Sequence, residues 1–316
     1  MLQKEEMRFE ICRKVDPMNI LLATDGSEYS ESAARFLARM VWTPDDSITV
    51  LHVIFAVPFH EDEKFYFSTL QAIKKECAPR ILDSAVEILK SVKAKISVEI
   101  VEGALNQCTP DQCIIAAADA SGADLIVLGG RGVKGIASVL LGSVSRLVAI
   151  NSSKPVLVVK PQTLAPPAGM NVLFAVDGSD HSVAAGRMLN FLPLPETAVL
   201  TILNVMPSDF LDIPERFVPE IEDRVKNDVA AIMTREYARA EKIIEHARES
   251  LAARFRHIEA RSRVGDPSTE ILKAEESTRA DLIALGCRGL RGLRGTLGSV
   301  SRNVLRHAAC SVLIGR

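Results

Sequence analysis

The stretch Ala123–Val159 begins Ala-Asp-Leu-Ile-Val-Leu-Gly-Gly-Arg-Gly, continues through Leu-Leu-Gly-Ser-Val-Ser-Arg and closes with Pro-Val-Leu-Val-Val. Its uninterrupted apolar run, Leu125–Leu128, predicts a strand buried on both faces, because a half-exposed strand would alternate apolar and polar residues. Glycines follow this run, and Gly142-Ser143 predicts the start of a helix. A strand, a glycine loop and a helix N-terminus in this order favour an anion such as phosphate. Glycines let backbone N–H groups approach it closely, and the helix end adds unpaired donors and a positive dipole.

Much of the chain occurs twice. The first glycine motif has the spacing Gly129-x2-Gly132-x9-Gly142-Ser143, and a related motif lies in Ala280–Ser301. Residues 171–182 also repeat residues 19–30 at a constant offset, including an Asp-Gly-Ser turn in each copy. This self-similarity indicates an internal duplication.

The chain length agrees with a duplication, since 316 residues is about twice the size of a typical domain. Residues 160–169 are rich in proline and lack apolar periodicity, which predicts a stiff linker. We therefore predict a first domain at residues 1–162, a linker at 163–169 and a second domain at 170–316.

Strands alternate with helices along each half, which predicts an α/β fold with doubly wound parallel sheets. A proline within the first long helix, Pro79, is expected to kink or break it. The predicted strands are 19–23, 47–53, 96–101, 125–128 and 156–159, then a strand starting at 171, 201–205, 258–264, 282–285 and 311–314. The predicted helices include about 69–91, 109–118, 143–150, about 219–255, 269–276 and 299–307.

The composition disfavours several classes of function. The formal charge is -2 with acids and bases interspersed, so we expect neither a nucleic-acid partner nor a membrane partner. Residues 1–16 lack the apolar centre of a signal peptide, which favours a cytoplasmic protein. The six cysteines form no Cys-x2-Cys pair, so we predict reduced thiols and no metal site.

The candidate site follows from the predicted topology. In a doubly wound sheet the ligand lies beyond the carboxyl ends of the strands, where the strand order reverses. The Asp25 turn and the Gly129 loop would meet there, with Asp25 accepting hydrogen bonds from a ribose or a base edge. The alternative is that Asp25-Gly26-Ser27 is only a turn and a helix cap. Duplication of this turn beside a second glycine loop favours the ligand role.

Four features together resemble the universal stress protein family, and the resemblance covers both halves. They are the Asp-Gly-Ser turn, the Ala-Asp-Leu-Ile-Val-x-Gly-x-Arg-Gly segment, the Gly-x2-Gly-x9-Gly-Ser spacing and the closing Lys-Pro-Val-Leu-Val-Val. The resemblance implies two five-stranded parallel sheets of order 3-2-1-4-5, in a Rossmann-like fold of the adenine nucleotide alpha hydrolase type. It also implies binding of ATP, or of ADP or AMP, with or without Mg, in members that keep the glycine motif.

The resemblance assigns contacts in both halves. In the first half these are Ala23, Thr24, Asp25, Val53, Gly129, Arg131, Gly132, Gly142, Ser143, Val144 and Ser145. In the second half they are Asp177, Val205, Gly286, Gly289, Gly298, Ser299, Val300 and Ser301. The second motif reads Gly-x2-Gly-x8-Gly-Ser, one residue shorter than the first, so we expect tighter ATP binding by residues 1–162.

Three functions are compatible with these patterns. The favoured one is an ATP-binding stress-response or signalling module. A slow ATPase or adenylyl-handling enzyme is the alternative, disfavoured because no His or Glu is tied to either loop as a general base. A nucleotide-free assembly scaffold is the third. The resemblance further implies that the terminal strands, Val156–Val159 and Val312–Ile314, pair the halves as an intramolecular pseudo-dimer, and a homodimer of whole chains stays open.

Overall fold

The computed structural model describes residues 17–56, 64–104, 108–131, 141–161, 169–206, 223–290 and 297–316, and these contain ten strands and eight helices. The strands are β1 (Asn19–Ala23), β2 (Ser47–Ala56), β3 (Lys95–Ala104), β4 (Leu125–Gly129), β5 (Val156–Val159), β6 (Asn171–Val176), β7 (Val199–Met206), β8 (His257–Val264), β9 (Leu282–Gly286) and β10 (Ser311–Gly315). The helices are α1 (Glu28–Ala38), α2 (Lys64–Leu89), α3 (Pro110–Ala120), α4 (Ser143–Asn151), α5 (Asp180–Phe191), α6 (Asp223–Leu251), α7 (Pro267–Thr278) and α8 (Ser299–His307).

The ten strands form one sheet in the order β3-β2-β1-β4-β5-β10-β9-β6-β7-β8. Strands within each half are parallel, and each half has the predicted order 3-2-1-4-5. The α/β fold is therefore confirmed. The halves join where β5 pairs with β10 in the antiparallel direction, with Val158 opposite Val312.

Helices cover both faces of the sheet, which explains why the central strands are apolar throughout. Leu22 and Val127 pack in the layer that contains α1 and α2, whereas their neighbours Leu21 and Ile126 pack in the layer that contains α3 and α4. Successive side chains of a strand point to opposite faces, so a strand buried on both sides shows no polar alternation. All five residues of β4 are buried, as the run Leu125–Leu128 predicts.

The predicted break at Pro79 is wrong, because α2 continues through this residue from Lys64 to Leu89. Its neighbours Ala78 and Leu82 are buried against the sheet. This packing holds the helix despite the backbone hydrogen bond that proline removes. Elsewhere the bounds differ by a few residues: β2 and β3 extend beyond their predicted ends, whereas α2 and α6 end earlier than predicted. Most of the predicted linker and the opening residues 1–16 lie outside the described residues.

Two basic side chains cross symmetrically between the halves. Lys160, just after β5, donates to the carbonyl oxygen of Ala308 at the end of α8, and Arg316, just after β10, donates to the carbonyl oxygen of Ala149 in the last turns of α4. Cations at helix C-termini complement the helix dipole. Burial lowers the pKa of the Lys160 ammonium. The contacts therefore continue the β5–β10 junction onto the helices of one face.

None of the helices in the described residues is long and apolar enough to cross a membrane.

Candidate functional site

The Asp25 turn connects β1 to α1 and is held by its own carboxylate. Oδ1 of Asp25 accepts hydrogen bonds from the backbone N–H of Ser27 at 3.1 Å and from its hydroxyl at 2.6 Å. Gly26 has a φ of +76°, which L-residues rarely adopt, and Ser27 caps α1. The turn-and-cap interpretation is thus correct as a structural account, and it fixes the position of the carboxylate at the end of β1.

The second half builds the same turn. Oδ1 of Asp177 accepts from the N–H of Ser179 at 3.0 Å and from its hydroxyl at 2.6 Å, and Gly178 has a φ of +77°. The duplicated sequence therefore folds into a duplicated geometry.

A side chain from the second strand of each half braces this turn. His52 lies 2.8 Å through Nδ1 from the carbonyl oxygen of Thr24, and Asn204 donates at 2.8 Å to the carbonyl oxygen of Val176. Both side chains are buried. The following residues, Val53 and Val205, therefore lie close to the turn, Val53 within β2 and Val205 just before the end of β7.

Gly129 and Gly286 have a steric reason for being glycine. A Cβ on Gly129 would lie 2.5 Å from the carbonyl carbon of Tyr29, and one on Gly286 would lie 2.7 Å from that of His181. These are backbone atoms of the helices α1 and α5, so neither can move aside cheaply. The first glycine of each motif thus allows the helix to cross the end of the central strand.

The third glycine of each motif begins a helix. Gly142 is the N-cap of α4, its N–H donates to the carbonyl oxygen of Gly130 at 2.8 Å, and no side chain caps this helix end. Ser145 is buried, and its hydroxyl donates to the carbonyl oxygen of Gly129 at 2.6 Å. Ser143 is exposed. The first turn of α4 therefore presents an exposed hydroxyl and helix N–H groups without a side-chain acceptor.

Gly298 and Ser301 repeat this arrangement at α8. The N–H of Gly298 donates to the carbonyl oxygen of Cys287 at 2.8 Å, and the hydroxyl of Ser301 donates to that of Gly286 at 2.7 Å. Ser299 is exposed, like Ser143, and Val300 is half-buried, like Val144.

One contact joins the first turn of α1, directly after the Asp25 turn, to the loop after β4. Nη1 of Arg131 donates to the hydroxyl of Tyr29 at 3.2 Å, and the guanidinium lies 5.5 Å from the centre of the same ring. The structure thus brings together the Asp25 turn and the start of the glycine loop, as the topology predicts. Gly132 lies outside the described residues.

In the second half the glycine loop contacts the aspartate directly. The N–H of Leu290 donates to Oδ2 of Asp177 at 3.2 Å, and a Cβ on Gly289 would lie 2.6 Å from the same oxygen. The hydroxyl of Ser179 also approaches the carbonyl oxygen of Arg288 at 3.2 Å. Both carboxylate oxygens of Asp177 therefore accept hydrogen bonds from the protein itself.

The electrostatics of the two halves differ beside this loop. His181 replaces Tyr29, and burial lowers the pKa of its imidazole, with further lowering by the positive charges of Arg288 and Arg316. The positive charge beside this loop in the second half therefore comes from Arg288 and Arg316 and not from His181. Within the described residues, no group of three His, Cys, Asp or Glu side chains is arranged to hold a metal ion.

The sequence did not identify Tyr29 or Leu290 as part of these sites. Tyr29 and His181 occupy equivalent positions two residues after the turn serine, so the repeat itself could have singled them out. No sequence signal predicts the contact of Leu290, because it depends on how a shortened loop folds.

The fold and its crevice define a duplicated α/β protein with a site at the strand-order switch of each half. The chain matches the universal stress protein family over residues 18–160 and again over residues 170–316. It therefore belongs to the universal stress protein family, and the duplication is two copies of that family's unit.

Individual relatives agree with this assignment. A universal stress protein of Mycolicibacterium smegmatis is 27% identical over 299 residues, which cover 94% of this chain and 96% of that protein. A universal stress protein of Thermus aquaticus is 32% identical over 141 residues, which cover 45% of this chain and 97% of that protein. Among solved structures, a universal stress protein from Archaeoglobus fulgidus aligns with a TM-score of 0.62 at 23% identity, covering 96% of this chain and 99% of that one. This last likeness concerns the fold.

Proposed function

We infer that the first half binds an adenine nucleotide, ATP or its products ADP and AMP, with or without Mg, and that the protein acts as a nucleotide-dependent stress-response or signalling module. One observation carries the proposal. The Asp25 turn and the glycine loop that leads to the uncapped N-terminus of α4 follow neighbouring strands at the switch of strand order, and the Arg131–Tyr29 contact joins that loop to the start of α1. A hydrogen-bond acceptor and a cluster of N–H donors on two sides of a crevice suit a nucleoside and its phosphates, respectively.

Each group has a specific role in this proposal. Asp25 accepts hydrogen bonds from the ribose. The base contacts Ala23 and Thr24 at the end of β1 and Val53 in β2. The phosphates bind to Gly142, residues 143–145 and Arg131. Gly129 contributes by letting α1 approach the strand end. Its own geometry supports this indirect role more than a contact with phosphate.

Nucleotide binding by the second half is weaker in this proposal. Its glycine motif is one residue shorter than that of the first half, which displaces the loop that would hold the phosphates. The first half, residues 1–162, is the nucleotide-binding domain, and residues 170–316 form its partner in an intramolecular pseudo-dimer joined through β5 and β10. Binding is favoured over turnover because the sequence places no His or Glu in the first glycine motif, residues 129–143, to act as a base.

The matched aspartates provide the test. Calorimetric titration of the full chain with ATP, ADP and AMP, with and without Mg, should show a main site that Asp25→Asn weakens about tenfold or more, because a hydrogen bond to a charged group contributes about 1.5–3 kcal/mol. Asn keeps an acceptor for Ser27, so the turn should survive. Asp177→Asn should leave the main site unchanged. Equal losses in the two variants, or an unchanged Asp25→Asn variant, would contradict the proposal.

The same preparation distinguishes the other two functions. Phosphate release that saturates with ATP and disappears in Asp25→Asn would favour the slow ATPase. A chain that binds none of the three nucleotides would favour the assembly scaffold.

A further inference from the structure

A cleft of about 480 Å³ opens between α5 and α6 in the second half, and none of the residues assigned to the nucleotide lines it. Its floor is apolar and includes Phe174, Val176 and Ile243. Its rim includes Arg187 from α5 and the pair Arg239 and Lys242 from α6. The volume is within the range of small-molecule sites, about 300–1,000 Å³.

The cations at the rim lack acidic partners in the described part of the chain. Neither an ion pair nor a side-chain hydrogen bond to described residues involves Arg187, Arg239 or Lys242, and among the described residues no Asp or Glu lines the cleft. Glu245, one turn further along α6 from Lys242, pairs with Arg248 at 3.7 Å. Three unpaired cations beside an apolar floor make the cleft complementary to an anion.

The corresponding helix pair of the first half, α1 and α2, carries a carboxylate between its two helices. There Glu31 of α1 pairs with Arg35 at 3.1 Å and accepts the hydroxyl of Ser84 from α2 at 3.0 Å. The repeat offset that aligns residues 19–30 with 171–182 places Val183 at the position of Glu31 and Arg187 at that of Arg35.

The facing helix aligns through its contact with the turn glycine. Ile81 packs against Gly26 and Ile243 packs against Gly178, so His246 takes the position of Ser84. The second half has therefore lost the carboxylate that spans the two helices and retains the arginine. Other lining positions differ as well, since Arg239 takes the position of Cys77 and Ser250 that of Ile88, so the second half has more positive charge and a smaller side chain between these helices.

We propose that this cleft is a second ligand site, which binds a small amphiphilic anion: a flat or short apolar body on Phe174, Val176 and Ile243, with a phosphate, sulfonate or carboxylate group on Arg187, Arg239 and Lys242. Arginine forks and a lysine ammonium suit these oxyanions. Gly178 also lines the cleft, so the ligand lies next to the Asp177 turn.

Anilinonaphthalene sulfonate, an aromatic ring system with one sulfonate, is a suitable probe for the full chain. Its fluorescence titration should show a site that Val183→Glu weakens about tenfold or more, because the new carboxylate restores the Glu31 arrangement and pairs with Arg187. The double variant Arg187→Gln/Lys242→Gln should lose binding to a similar extent. Val183 is half-buried on a helix, and urea unfolding of each variant checks that the fold is retained.

Three controls decide the assignment. Arg35→Gln, at the position of the first half that matches Arg187, should leave binding unchanged. Phenylnaphthylamine, the same rings without the sulfonate, should bind the double variant as it binds the parent. Saturating ATP should not displace the sulfonate. Any one of the following results would overturn the proposal. They are retained binding in folded Val183→Glu or in the double variant, an equal loss in Arg35→Gln, an equal loss of the neutral probe in the double variant, and displacement by ATP.

Discussion

The backbone N–H of Leu290 donates to Oδ2 of Asp177 at 3.2 Å, which ties the loop after β9 to the turn between β6 and α5. The two halves share their turn, their helix caps and their strand order, and they differ in the length of the glycine motif and in the residues of the α5–α6 helix pair. In the second half the shortened loop folds onto its aspartate, and the helix pair opens a basic cleft. Duplication has therefore preserved the scaffold and left the two halves with different surfaces for ligands.

Gly289→Ala tests the contact between the loop and Asp177. The added Cβ would lie 2.6 Å from Oδ2 of Asp177, so either the carboxylate or the loop must shift and the hydrogen bond from Leu290 should be lost. We expect the free energy of unfolding to fall by about 1–3 kcal/mol, measured by urea denaturation. Gly169→Ala is the control, because its closest atom would be 3.4 Å away, and it should be nearly neutral. A Gly289→Ala protein as stable as the parent would show that this loop is not packed on the aspartate.

Much of the architecture could be predicted from local patterns. The continuous apolar run at Leu125–Leu128 identified a doubly covered strand, and the constant repeat offset identified the second half. These patterns succeed because burial on both faces leaves a direct trace in sequence. The order of the strands came from the family resemblance.

The remaining features depend on contacts between distant segments. Gly129 suited a phosphate loop equally well on sequence grounds, and only the approach of Tyr29 shows that a helix requires it. The path of α2 through Pro79 reflects tertiary packing that outweighs a local preference. The cleft forms between α5, which carries Val183, and α6, which carries His246, so no local sequence pattern predicts it.

Gly129→Ala tests the packing role of the first glycine. A Cβ would lie 2.5 Å from the carbonyl carbon of Tyr29, a backbone atom of α1, and should destabilise the fold by about 1–3 kcal/mol or more. We expect a lower urea midpoint and, since the start of α1 carries the Asp25 turn, weaker ATP binding. The neighbouring Gly130→Ala is a matched control, because the second half carries Cys287 at that position and the closest atom would be 3.3 Å away. Similar losses in the two variants would argue against a specific packing role for Gly129.

Asp266 gives a prediction for the dependence of stability on pH. It caps α7 and accepts from the hydroxyl of Thr269 at 2.6 Å, from its N–H at 2.8 Å and from the hydroxyl of Ser268 at 2.9 Å. The bonds from Thr269 hold the pKa of the Asp266 carboxyl below its ordinary value of 3.8. A carboxylate whose pKa is lower in the folded state stabilises the fold above the unfolded pKa, and this contribution disappears as the pH falls through the folded pKa.

Asp266→Ala should therefore cost about 1 kcal/mol of unfolding free energy at pH 7, the usual effect of removing an N-cap. The difference between parent and variant should shrink below about pH 4. Asp266→Asn keeps an acceptor but cannot titrate, so its own cap should contribute equally at pH 7 and pH 4. Urea titrations at a series of pH values check both. A difference between Asp266→Ala and the parent that stays constant down to about pH 3 would contradict the electrostatic part of the prediction.

The junction of the halves offers a test in which backbone direction is decisive. The carbonyl oxygen of Pro155, just before β5, accepts from the N–H of Ile126, and the carbonyl oxygen of Val159 accepts from the N–H of Gly130. Alternate residues along this strand therefore direct their polar groups toward β4. Val158 belongs to the other alternating set, so its N–H and C=O point toward β10, where it is opposite Val312. The Val158–Val312 pair thus carries ladder hydrogen bonds between the halves, while Leu157 directs its polar groups into its own half.

Val158→Pro should consequently weaken the junction and leave each half folded, because it removes the N–H that faces β10 and fixes φ. We expect two calorimetric unfolding transitions in place of one, and a larger radius of gyration by small-angle scattering. Val312→Pro, which acts on the same pair from the other strand, should behave alike. Leu157→Pro should instead destabilise the first half itself, because its N–H faces β4. If Val158→Pro unfolds as the parent does, or if scattering shows two separated halves in the unmodified chain, then the β5–β10 pairing does not hold the halves together in solution.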